Sequence, residues 1–72
     1  MDWRGYIIAD NAILMGKPIV KGTRISVELI LELLIEGWSE AQILESYPSI
    51  QPIHLRAVYA YLKDKQKILP NM

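Results

Sequence analysis

Apolar residues fall into short clusters up to position 25 and into longer helical patterns after it. Tyr6-Ile7-Ile8-Ala9 is β-branched and aromatic, which predicts a strand. Asp10-Asn11 marks a turn, because both side chains can bond nearby amides and tolerate positive φ. Ala12-Ile13-Leu14-Met15 and Ile19-Val20-Lys21 are further apolar runs, divided by Gly16-Lys17-Pro18, and Gly22-Thr23 breaks the chain again. Short runs with this punctuation predict a small antiparallel β element. Pro18 cannot donate to a ladder, so its strand is an edge or starts after the proline. Residues 1–5 read as a loose lead-in, with Trp3 packed against something.

From Ser26 the period becomes helical. Ser26 suits an N-cap and Glu28 puts negative charge in the first turn. A helix over Val27 to Glu36 follows, with Gly37 as its left-handed stop. Val27, Ile30, Leu31 and Leu34 form the i, i+3, i+4, i+7 stripe, while Leu29, Leu33 and Ile35 fall outside it. Glu28, Glu32 and Glu36 keep one polar edge. This helix has nearly two apolar faces, so one is expected to meet the core and the other a partner.

Ser39 with Gln42 three residues on spells a capping box, and Trp38 is placed to staple onto Ile43. A short helix over 39–46 results, with Ile43 and Leu44 inward, and Tyr47-Pro48 stops it. Gln51 is a possible cap and Pro52 suits the first helical position. The third helix runs from Pro52 to Asp64 and as far as Lys67. Its apolar face is Ile53, Ala57, Ala60 and Tyr61, with Leu55, Val58 and Leu62 beside it. The predicted fold is mainly α: a β arm over 1–25, a three-helix bundle over 26–67 and a frayed tail over 68–72. The last two helices and their tight turn have helix-turn-helix proportions.

Composition sharpens this picture. A 72-residue chain buries only about 60% of its unfolded surface, and this one has no cysteine to add a disulfide or thiolate site. Yet 51% of it is apolar and only 22% charged. A homodimer, or a standing partner, is the simplest way to cover that surplus. Eight basic residues balance eight acidic ones, so the field of a dedicated nucleic-acid binder is missing, although charge can be segregated by face. No apolar run is long enough for a membrane span and no signal-peptide layout opens the chain. A cytoplasmic protein without a membrane partner is expected.

Candidate chemistry is sparse. His54 is the single histidine, with no second histidine or neighbouring carboxylate in local reach, and reads as a surface helix residue rather than a catalytic base. Glu28, Glu32 and Glu36 read as a solvated helix edge rather than a metal site. No enzyme, cofactor, metal site or small-molecule substrate is expected. Gly16-Lys17 and Lys21-Gly22-Thr23 look superficially like pieces of a phosphate loop, but the required Gly-x4-Gly-Lys-Ser/Thr spacing is absent. Gly22 and Thr23 instead read as a bend, with Lys17, Lys21 and Arg24 pointing outward, either as a solvated surface or as contacts to phosphates or to an acidic partner. If duplex DNA is read, the N-terminal residues of the third helix offer Gln51, His54 and Arg56.

The segment from Gly16 through Ile25 (Gly-Lys-Pro-Ile-Val-Lys-Gly-Thr-Arg-Ile) resembles the domain of unknown function family 433. So do Val27–Leu31, Leu33-Leu34, Glu36–Ser39, Ile43-Leu44, Tyr47-Pro48, Leu55–Ala57 and Tyr59–Tyr61. The resemblance spans Ile13 to Tyr61, with Ser26 where proline is common in the family. It implies a homeodomain-like three-helix domain with an N-terminal β element, often dimeric. It further implies an antitoxin that silences a PIN-like nuclease toxin and binds its own promoter. With few residues after the third helix, a long toxin-wrapping tail is not expected.

Overall fold

The structure is a computed structural model that describes residues 1–65. The expected end of the third helix at Gln66-Lys67 and the frayed tail from Ile68 to Met72 lie outside the described residues. The order of elements is a two-stranded antiparallel sheet followed by three helices.

Strand β1 (Ile7–Ala9) pairs with β2 (Pro18–Val20), with Ile7 opposite Val20 and Ala9 opposite Pro18. The proline opens its strand, where its missing N–H does least harm. On the far side of β2, Ile19 forms an isolated antiparallel bridge to Ser26. The chain therefore doubles back along β2 just before the first helix.

The expected second run, Ala12–Met15, is not a strand. Asp10 holds this segment in a loop, its Oδ1 accepting the Ala12 N–H at 2.8 Å and its carbonyl the Ile13 N–H at 2.8 Å. Leu14 and Met15 then take φ of 48° and 58°, a left-handed region costly for side chains of this size. Met15 ends 93% exposed at the tip. At Gly16 φ is 83°, a conformation that favours glycine, and a Cβ there would lie 2.7 Å from Asn11 Oδ1, so a side chain would also displace Asn11.

The N-terminal residues are also more ordered than a loose lead-in. Trp3–Gly5 is a single 3-10 turn capped by Asp2, whose side chain accepts the Arg4 N–H at 3.0 Å. The Trp3 ring meets Tyr61 edge-on at 4.8 Å, and Trp3 Nε1–H donates to Asp64 Oδ2 at 2.6 Å.

Helix α1 (Val27–Ile35) starts on Ser26, whose Oγ accepts the Leu29 N–H at 2.9 Å. It ends in a double closure: Gly37 N–H to the Leu34 carbonyl at 3.0 Å and Trp38 N–H to the Leu33 carbonyl at 3.0 Å. That pattern needs a left-handed residue at Gly37, where φ is 100°. Helix α2 (Glu40–Ser46) carries both halves of the expected capping box: Gln42 N–H to Ser39 Oγ at 3.1 Å and Ser39 N–H to Gln42 Oε1 at 2.8 Å. Helix α3 (Pro52–Asp64) begins with proline at its first position. Gln51 is its N-cap residue, as expected, but makes no side-chain capping bond; its backbone carbonyl receives the His54 N–H at 2.8 Å.

The core draws on every element. Ile7, Val20, Val27, Ile30, Leu33, Ile43, Ile50, Leu55, Ala57 and Val58 form one buried cluster. Removing side chains of Leu or Ile size from water contributes roughly 1.5–3 kcal/mol each. Trp3, Tyr6, Trp38, Tyr47 and Tyr61 pack around its margin. Two predicted stripes are rotated. On α1 the buried positions are Val27, Ile30 and Leu33, with Leu31 and Leu34 only half-buried. On α3 they are Leu55, Ala57 and Val58, while Ile53 is exposed. Among the described residues Ser26 is the one buried polar residue, and no buried side-chain polar atom lacks a partner. No described helix is long and apolar enough to cross a membrane.

Candidate functional site

Two exposed cations, Lys21 and Arg24, flank the turn between β2 and α1. This turn is fixed by four bonds. Val20 N–H donates to the Ile25 carbonyl at 2.9 Å, and Thr23 N–H donates to the Val20 carbonyl at 3.0 Å. Thr23 Oγ1–H reaches the same Val20 carbonyl at 2.8 Å, while Oγ1 accepts the Ile25 N–H at 2.9 Å. Thr23 thus spends its hydroxyl on the backbone, and Lys21 and Arg24 on either side of it are exposed. Neither has an ion-pair partner among the described residues.

The turn is joined to the start of α3 through one aromatic residue. Lys21 N–H donates to the Tyr6 carbonyl at 2.8 Å. The Tyr6 ring meets the His54 ring edge-on, with centroids 6.1 Å apart. His54 Nδ1 in turn accepts the Gln51 N–H at 2.9 Å. The backbone at Lys21, the His54 ring and Gln51 therefore belong to one neighbourhood.

The other candidates are placed differently. Lys17 is exposed but forms an ion pair with Glu28 Oε1 at 3.0 Å, tying the start of β2 to the first turn of α1. Arg56 is exposed, yet two residues along a helix are separated by about 200° of rotation, so it faces away from His54. It shares the outer face of α3 with Ile53, Tyr59 and Lys63. Gln51, His54 and Arg56 do not form one reading face.

Two groupings are not evident in the sequence. Tyr59 Oη–H donates to Glu40 Oε2 at 2.6 Å, pinning α3 to the first turn of α2. Desolvation, then this hydrogen bond and the Glu40 charge, push the Tyr59 phenol up to about 12. At the C-terminal end of α3, Arg4 lies 4.7 Å over the Trp3 ring, and the Lys65 ammonium lies 5.9 Å from Trp3 and 5.8 Å from Tyr61. Asp2 there is held below its ordinary value, first by the Arg4 backbone N–H and then by the Arg4 side chain. Trp3 was the one sequence signal for this cluster; its partners lie 58 and 61 residues away. Among the described residues no group of three or more His, Cys, Asp or Glu could hold a metal ion.

Fold and surface define a small, mainly helical domain that presents a braced cationic turn. The family model described as Protein of unknown function (DUF433) matches residues 7–62, and the chain belongs to that family. No curated protein and no solved structure matches it.

Proposed function

We propose that the chain is a non-enzymatic, antitoxin-like module of the cytoplasm that binds both duplex DNA and a protein partner. The observation that carries the DNA half is the turn itself: Lys21 and Arg24 stand exposed, with no ion-pair partner among the described residues, on a backbone held by four short bonds. A rigid turn presents cations to phosphates without an ordering cost at binding. Arg56 on the outer face of α3 is chemically suited to a guanine edge. The helix pair α2–α3 supports a homeodomain-like reading of the bundle. The family resemblance drawn from the sequence suggests a PIN-like nuclease as the protein partner and the module's own operon as the DNA target.

A gel-shift with the sequence upstream of the chain's own gene tests the DNA half. Retardation is expected at low salt, falling as salt rises. Lys21→Ala and Arg24→Ala should weaken binding to all sequences and each reduce the salt slope by about 1, whereas Arg56→Ala should relax sequence preference. No retardation at low salt would remove DNA from the reading.

A second reading is favoured by the acidic and apolar exterior of α1: a protein-interaction module that touches no DNA. Co-expression with the product of the adjacent gene separates the two. A chain that co-purifies with that product while ignoring duplex supports the second.

A further inference from the structure

The zero net charge conceals a division along the chain. Between Ile25 and Leu55 there are five glutamates and neither lysine nor arginine, while the remainder holds all eight basic residues and three aspartates. On α1 the helical period sets Glu28, Leu31, Glu32 and Ile35 in one outward stripe, with Glu36 at its margin. Ile35 is 81% exposed, and Leu31 is half-buried beside it. Glu28 is paired with Lys17, but Glu32 and Glu36 have no ion pair among the described residues.

This stripe works against the helix that carries it. Carboxylates four residues apart repel one another. Glu32 and Glu36 also sit at the negative end of the helix dipole, and the last turn has no basic residue to offset them. Ile35 stands in water between them. Cations and apolar surface brought by a partner would offset both the charge line and the exposed isoleucine.

We propose that the outward stripe of α1 docks a cationic amphipathic helix of a partner protein. Apolar side chains of the partner cover Leu31 and Ile35, and its lysines or arginines pair with Glu32 and Glu36. Charge selects this occupant. Nucleic acid is repelled by the stripe. A second copy packed α1 against α1 about a two-fold axis would bring the same glutamates face to face. The proposal rests on the protein-binding half of the proposed function and is independent of the DNA half.

The test uses the full chain with synthetic peptides as probes: an amphipathic Leu/Lys helix, a scrambled peptide of the same composition without an apolar face, and a Leu/Glu counterpart. Binding is measured by titration, and the footprint by chemical-shift changes. The Leu/Lys helix is expected to bind with shifts centred on residues 28–36, and the other two peptides to bind about tenfold more weakly or less. A Glu32→Lys/Ile35→Ser double variant, which alters only exposed side chains, should lose about tenfold for the Leu/Lys helix, while Lys21→Ala should not. Circular dichroism verifies that the variant keeps its helix content. Absence of binding, equal binding of the scrambled peptide, or shifts centred away from α1 would overturn the proposal. So would a change of oligomeric state in the double variant, which would assign the stripe to a second copy. A partner that co-purifies equally with parent and double variant sinks only the docking stripe; failure of the parent to retain any partner sinks the protein-binding reading.

Discussion

Gly37 has open space where a side chain would go, since nothing lies within 4 Å of a Cβ built there. Its requirement is therefore purely one of backbone conformation, at φ 100°. Gly37→Ala is expected to destabilise the domain by roughly 1–2 kcal/mol, seen as a lower midpoint in urea with an unchanged slope. Such single positions were readable in the sequence when their partners are close along the chain. The Ser39–Gln42 box and the Gly37 stop depend on contacts within a few residues, and both occur as expected. Leu14 and Met15 were not readable. An apolar run looks like a strand, and only the Asp10 bonds and the close Asn11–Gly16 approach turn it into a loop.

At the scale of elements, the joint between α2 and α3 is chemical as well as apolar. Tyr59 donates to Glu40 only while its phenol is protonated, and folding raises its pKa from 10 to about 12. A raised value means stability that is whole below pH 10 and lost as pH climbs toward 12. Ultraviolet titration of tyrosinate should show Tyr59 ionising late, and Glu40→Gln should bring that step earlier. Tyr59→Phe should remove the step and flatten stability across the same interval. Nothing in the local sequence announces this pair, which is 19 residues apart. The orientation of α1 is a different case. Seven of its nine residues are apolar, so counting apolar spacings admits several stripes. Glu28, Glu32 and Glu36 mark the outer pole, and the positions opposite them are Ile30, Leu33 and Leu34, with Val27 alongside. The acidic line was the better guide.

For the whole molecule, the division of charge matters more than its sum. Neutral composition argued against nucleic acid, yet every lysine and arginine lies outside residues 25–55. One chain can therefore offer a cationic turn and an acidic helix to different partners. The mainly helical fold with its small sheet was legible from punctuation and period; the placement of Lys17 on Glu28 and of Tyr6 between Lys21 and His54 was not, because both depend on how the arm lies across the bundle. Self-association is expected as well. β1 has a neighbouring strand on one side only, and half the chain is apolar. Sedimentation equilibrium should give twice the mass of one chain, unchanged by Glu32→Lys/Ile35→Ser; a monomer would refute the dimer.

Trp3 donating to Asp64 brings together residues 61 apart. The described chain is thus nearly a closed ring, and its covalent starting point is arbitrary to its packing. A circular permutant that joins these two regions by a short linker and opens between Leu14 and Met15 would keep every core contact. The new termini would fall beside the exposed Met15 side chain, where the backbone is already bent against its preference. Cutting there would release local strain, and the Trp3–Asp64 contact, which now must find its partner across the whole chain, would become a neighbourly one that forms early.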